Sequence, residues 1–330
     1  MPYYTGTATS YANLASVLTS TLTGNGWVSS DGILSKGDMF IKLTTNESFV
    51  SFYVPEGLIV QGGTGQTGAT LLDASLIRPR LGRPRNNIGA VTWPIEYFIH
   101  VLTSPDEVYL VVRYNVNLFT FVSFGKSTVP NIGGTGLWIT GSNYFIEHSI
   151  YTYAYTLKPT TGGSDYSWAY LYPSSPGAPF WETEWSSYNS NEHPNYRSAT
   201  VHANLMSYPL TWLGHETASS EGTMINAVAY AAPLISRLPS AWNAEATLVP
   251  IQVYASVGSQ KVSLVVDVAH ARYTRVDNYE PGQVISIGPD RWKIYPFVSK
   301  NTADRDCNNL SSSSPPQSGT LGWAIRYDGV

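Results

Sequence analysis

The sequence predicts a mainly β protein of antiparallel sheets, sandwich or barrel-like, with a short N-terminal helix and long aromatic loops. Three observations lead to this prediction. Aromatic residues make up 13% of the 330-residue chain, with 23 Tyr and 10 Trp, and such residues favour strands. Charged residues make up only 13%, which is about half the usual share. Short apolar runs bounded by Gly and Pro recur along the chain, as expected of strands joined by turns.

The composition also excludes several classes of protein. The 19 basic and 23 acidic residues give a formal net charge of -4, so nothing draws the chain to phosphate backbones and we expect no nucleic-acid binding. No apolar run approaches the roughly 20 residues that cross a bilayer, and no basic segment followed by an apolar one opens the chain. We therefore expect no membrane span and synthesis in the cytoplasm. The single cysteine, Cys307, excludes an intrachain disulfide and a cysteine metal cluster.

The N-terminal third predicts one helix followed by strands. Ser10 is expected to open the helix, and Gly24 to end it in the left-handed conformation. Its apolar residues recur at helical spacing: Leu14, Val17, Leu18 and Leu22. Residues 38–43 and 48–54 predict a hairpin. The glycine-rich run 61–68 predicts a long loop.

The rest of the chain predicts further antiparallel strands. Residues 108–114 and 118–124 flank an Asn-Val-Asn turn and give the clearest hairpin. Residues 137–139 and 145–146 are expected to continue the same sheet. Beyond residue 250, strands are predicted at 252–255, 262–268, 284–287, 292–296 and 321–327, with a turn at 288–290. Residues 304–317 are expected to be mobile. The predicted domains are an N-terminal helix plus β domain (1–159), a loop-rich aromatic region (160–249) and a C-terminal β domain (250–330).

Four arginines lie close together between residues 78 and 85. Pro79 and Pro84 interrupt them, so an irregular, extended chain is predicted. The segment is either a solvated loop with local salt bridges or a contact with an acidic surface on a neighbouring subunit, because guanidinium groups suit carboxylates at interfaces. The second interpretation makes interface residues of Arg78, Arg80, Arg83 and Arg85.

An aromatic segment extends from residue 160 to about residue 197. Its composition shifts to Gly, Ser, Pro, Tyr and Trp, which predicts a long irregular excursion. Large aromatic side chains are costly to expose, so they either fold back or are covered by another chain. The aromatic residues predicted to form an interface are Trp168, Tyr170, Tyr172, Phe180, Trp181 and Trp185.

The motifs for nucleotide and metal binding are weak. The run Gly-Lys-Ser-Thr at 125–128 is like the end of a phosphate loop, but Thr120 stands where that motif needs glycine. Three histidines, two of them next to glutamates, lie close in sequence at His193, His202 and His215. Their spacing matches no compact ligand set, and ordinary buried or interfacial histidines are favoured. We therefore predict no cofactor and no metal.

The motifs for hydrolysis are equally weak. Neither G-x-S-x-G nor H-E-x-x-H occurs. Glu182 with Glu184 or Glu192 would suit the two carboxylates of a glycosidase, and exposed Trp and Tyr would suit a sugar. Surface carboxylates are the favoured interpretation, and no catalytic residue is predicted.

Several short phrases resemble structural proteins of tailed bacteriophages, described as tail or virion proteins. In the first half they are YTGTATS (4–10), NGW (25–27), FGKS (124–127) and GLW (136–138). In the second half they are DNYEPG (277–282), WKIYP (292–296) and GWAIRYDG (322–329). The segment from 160 to 199 matches no such pattern. The resemblance implies a virion component without known catalysis and supplies no functional residues.

The sequence therefore favours a structural assembly protein of a tailed bacteriophage, associated with the tail or the neck and collar. Such a protein is a homo-oligomer and not an enzyme, made in the host bacterial cytoplasm and found in the virion. Its expected partners are copies of itself and other virion proteins. Two alternatives stay open: a receptor- or glycan-binding tail protein that meets the host surface, and a polysaccharide-degrading enzyme.

Overall fold

A computed structural model of the chain describes residues 2–48, 56–82, 91–114, 117–147, 152–156, 199–204, 212–213, 224–226, 247–256, 262–303, 305 and 318–329. These residues include one helix, α1 (Tyr11–Thr23). The first strands are β1 (Tyr3–Ala8), β2 (Val28–Ser30), β3 (Ile33–Lys36), β4 (Met39–Asn46), β5 (Gly57–Gly63), β6 (Gly65–Thr67), β7 (Thr70–Leu72), β8 (Ile77–Leu81), β9 (Ile95–Leu102), β10 (Glu107–Tyr114) and β11 (Leu118–Lys126). The remaining strands are β12 (Leu137–Gly141), β13 (Asn143–Glu147), β14 (Thr152–Thr156), β15 (Ala199–His202), β16 (Trp212–Leu213), β17 (Met224–Asn226), β18 (Val249–Ser256), β19 (Val262–Arg275), β20 (Val284–Ile287), β21 (Asp290–Pro296) and β22 (Leu321–Arg326).

The predicted fold class is confirmed: the protein is mainly β, with antiparallel sheets and a short N-terminal helix. Three large sheets are present. The central sheet has the order β1-β9-β10-β11-β12-β15-β16, and the N-terminal sheet has the order β14-β13-β8-β5-β4-β3-β2. The C-terminal sheet has the order β17-β18-β19-β22-β21-β20, and β6 pairs with β7 separately. No helix among the described residues is long and apolar enough to cross a membrane.

The middle strands of the central sheet are buried on both faces, so the three large sheets of the described residues form three layers. Strand β10 shows this by its alternation, because successive side chains point to opposite faces. Val108 and Leu110 belong to a core shared with α1 and the N-terminal sheet. Tyr109 and Val111 belong to a second core, shared with the C-terminal sheet, that includes Trp323. This second core contains side chains from residues before and after position 250. The division of the chain into three domains stays a prediction.

The helix begins as predicted and ends differently. The Ser10 side chain accepts a hydrogen bond from the Asn13 amide at 3.0 Å, as an N-cap does. Gly24, however, keeps a right-handed helical φ of -66°. The left-handed residue is Gly26, with φ +84°, where the chain leaves the helix. The prediction for Gly24 was therefore wrong by two positions.

The hairpin 108–114 and 118–124 is confirmed as β10 paired with β11, and the strands predicted beyond residue 250 are all present. Residues 137–139 lie in β12 beside β11, as predicted. Residues 145–146 do not continue that sheet, because β13 pairs with β8 in the N-terminal sheet. The predicted partner of β4 also differs, since β4 pairs with β5, which begins at Gly57. Residues 49–55, and all but residue 305 of the 304–317 segment, lie outside the described residues.

The glycine-rich run 61–68 is not a loop, because β5 continues to Gly63 and β6 follows. Packing explains this outcome. A Cβ added to Gly62 would overlap the Ile139 side chain and lie 2.9 Å from the Trp212 ring. Glycine here lets β5 approach the central sheet closely, which is a recognised use of glycine within strands.

Candidate interaction surfaces

The arginine segment is partly a strand and not the irregular chain predicted. Arg78 and Arg80 lie in β8, which pairs with β13 and β5. Arg80 is only 3% exposed, and its guanidinium donates a hydrogen bond to the Glu56 carbonyl. This side chain therefore serves the protein's own interior. Contact of the segment with a neighbouring subunit stays a prediction, and Arg83 and Arg85 lie outside the described residues.

The aromatic interface predicted for residues 168–185 also lies outside the described residues. The same holds for the candidate carboxylates Glu182, Glu184 and Glu192 and for His193 and His215. Their roles stay predictions.

His202 is the member of the histidine cluster that the structure describes, and it makes structural contacts. Its Nδ1 accepts a hydrogen bond from the Thr135 amide at 2.8 Å, so Nε2 carries the proton. The Nε2–H group donates a hydrogen bond to the Asp73 carboxylate at 3.1 Å. Burial lowers the pKa of His202 despite this carboxylate. The ring also packs against Trp212, with centroids 5.2 Å apart. Among the described residues, no group of three or more His, Cys, Asp or Glu could hold a metal ion.

Glu107 joins the central sheet to the C-terminal sheet, and nothing in the sequence predicts this role. Its Oε1 accepts a hydrogen bond from the Ala269 amide, and its Oε2 accepts one from the His270 amide, both at 2.9 Å. The Tyr109 hydroxyl donates to Oε2 at 2.6 Å. The two amides lie where β18 and β19 shift register, so the neighbouring strand does not use them.

Burial sets the protonation of this carboxyl. Glu107 is fully buried, and desolvation raises its pKa to about 7, although the three hydrogen bonds favour the charged form. The oxygens are taken up by donors of the same chain. Glu107 is therefore a connection between sheets rather than a reactive acid.

Three edge strands expose large apolar side chains. Among the described residues, β1 pairs only with β9, β2 only with β3, and β20 only with β21. Tyr4 on β1 is 38% exposed, Val28 on β2 is 62% exposed, and Ile287 on β20 is 42% exposed. An edge strand offers unpaired amides and carbonyls to another chain, and natural monomers usually protect such edges with charge or proline. Local sequence patterns do not predict these edges, because strand order depends on long-range pairing.

No protein-family model matches the chain, and no curated protein matches it either.

Proposed function

We propose that this protein is a structural subunit of a tailed-bacteriophage virion, in the tail or neck, and that it acts through interfaces with copies of itself and other virion proteins. The phrases that resemble phage structural proteins support this proposal. So does the low charge of the chain, because uncharged polar and aromatic surface is easier to bury between subunits than ionised side chains.

The proposal depends most on the edge strands β1, β2 and β20, each of which pairs on one side only among the described residues. Each large sheet ends in an edge strand that presents an apolar side chain: Tyr4, Val28 or Ile287. A neighbouring subunit that adds a strand to such an edge forms hydrogen bonds with the backbone of the edge strand and buries the apolar side chain of that strand. Repetition of the same contact by symmetry then builds a ring or a stack from modest interfaces.

Edge variants test the role of these strands. Val28→Lys and Ile287→Lys place a charge on the edge, and we expect each to weaken self-association by at least about tenfold, equivalent to about 1.4 kcal/mol. Leu76→Lys is the matched control, because Leu76 is 46% exposed but lies outside the strands. Sedimentation of the purified chains measures association. Equal association by all variants would remove the edges from the proposal.

The virion assignment has its own test. Mass spectrometry of purified particles is expected to detect the chain in stoichiometric amounts. Deletion of residues 160–199 is expected to abolish its incorporation while the isolated chain stays soluble. A chain that stays free in infected cells and is missing from particles would refute the assignment.

A further inference from the structure

A groove lies between the open edge of the central sheet and the C-terminal sheet. Its narrower part has a volume of about 420 Å³ and lies between β1 and β21, with Thr5 and Lys293 among its lining residues. A wider part of about 760 Å³ continues toward the two ends of the chain and shares these same two residues. Both volumes are in the range of small-molecule sites.

The floor of the narrower part is a row of polar side chains across three strands. Thr7, Glu96 and Arg113 are direct neighbours in the registers of β1, β9 and β10. Glu96 forms an ion pair with Arg113, and Phe98 lines the groove beside them. The row thus offers a hydroxyl, a carboxylate acceptor and a guanidinium donor next to an aromatic ring. Sugar hydroxyls both donate and accept, so this combination suits a pyranose.

Lys293 supplies a positive charge that the groove does not neutralise. Its ammonium lies 4.9 Å from the Tyr3 ring centroid and 5.1 Å from the Tyr327 ring centroid. No carboxylate among the described residues forms an ion pair with it. Desolvation lowers its pKa. Asp328 is exposed and lines only the wider part. The narrower part therefore has two cations and one carboxylate, in a chain with a net charge of -4.

We propose that this groove binds an acidic saccharide, with a sugar carboxylate at Lys293 and ring hydroxyls along Thr7, Glu96 and Arg113. One carboxylate satisfies the one unmatched cation, and a charge-assisted hydrogen bond to Lys293 is stronger than a neutral one. A run of acidic peptide side chains fits less well, because it brings no hydroxyl donors to Glu96. The proposal does not depend on assembly into a particle, since these residues all belong to one chain.

Calorimetric titration of the purified full chain tests this site. The probes are trigalacturonate and the neutral galactotriose of the same linkage. We expect trigalacturonate to bind at least about tenfold more tightly, and Lys293→Met to remove that difference, because charged hydrogen bonds account for a discrimination of this size. Lys42→Met is the matched control. Lys42 is also half-buried, but it lies in the N-terminal sheet, and its ammonium donates a hydrogen bond to the Ala69 carbonyl. It should leave binding unchanged.

Two additional measurements keep the test decisive. Glu96→Gln retains the shape of the floor but removes the ion pair and one acceptor oxygen, and we expect it to reduce binding of both saccharides without loss of the circular-dichroism spectrum. Triglutamate should bind at least about tenfold more weakly than trigalacturonate. The proposal is overturned if trigalacturonate fails to bind, if triglutamate binds equally well, or if Lys293→Met leaves the preference for acid intact.

Discussion

Glu107 and Lys293 both lie at the junction of the central and C-terminal sheets, yet the groups that surround their side chains differ. Glu107 is fully buried, and three donors of the same chain meet its oxygens. Lys293 is half-buried, and two tyrosine rings lie beside its ammonium where a counter-ion would be expected. A buried carboxyl whose oxygens accept hydrogen bonds from the same chain contributes to the fold. A half-buried charge at the wall of a groove that no described carboxylate meets favours a role in binding, because desolvation without a counter-ion costs stability.

The largest effect is expected from removing the satisfied carboxyl. Glu107→Ala leaves the Ala269 and His270 amides without their acceptor, and unsatisfied buried donors cost about 1–3 kcal/mol each. We expect the free energy of unfolding to fall by about 4 kcal/mol, measured by urea denaturation. Glu107→Gln keeps one acceptor oxygen but turns an NH2 group towards the other amide, so we expect a loss smaller than that of Glu107→Ala. If alanine is tolerated at this position, Glu107 does not connect the sheets.

The stability of the protein is expected to depend on pH through Glu107. The Glu107 pKa is raised from 4.5 to about 7 in the folded protein, so the folded state holds this proton more tightly than the unfolded state. The stabilisation that comes from protonating Glu107 is therefore complete below pH about 4.5, and it is lost as the pH rises through about 7. The loss amounts to roughly 3 kcal/mol. Urea denaturation of the wild type and Glu107→Gln at pH 4.5 and pH 8 measures it, and parallel curves for the two proteins would contradict the shift.

Local patterns in the sequence predict much of the fold and little of either charged site. Helix α1 and the β10–β11 hairpin follow from apolar spacing and from the turn residues next to them. The glycine run 61–68 was misassigned because its role depends on Ile139 and Trp212, which are far away in sequence. The same limit applies to the two charges. Glu107 meets an amide 163 positions along the chain, and short-range pattern cannot reveal such a partner.

The groove shows this limit most clearly. The structure brings four residues from four separate short phrases to the two parts of the groove: Thr5, Pro281, Lys293 and Gly329. In the sequence these phrases lie at opposite ends of the chain. The phrases by themselves assign no site, and the folded chain is needed to bring their residues together.

The smallest effect is expected from removing the unsatisfied charge. Lys293→Met keeps most of the side-chain length, loses cation–π contacts with Tyr3 and Tyr327, and relieves the desolvation of the ammonium. Cation–π contacts at accessible sites contribute about 0.5–1 kcal/mol each, and the relief of desolvation opposes their loss. We therefore expect the free energy of unfolding to change by less than about 1 kcal/mol, measured by urea denaturation under the same conditions as for Glu107→Ala. A loss as large as that of Glu107→Ala would make Lys293 a structural residue and would end the contrast between the two charges.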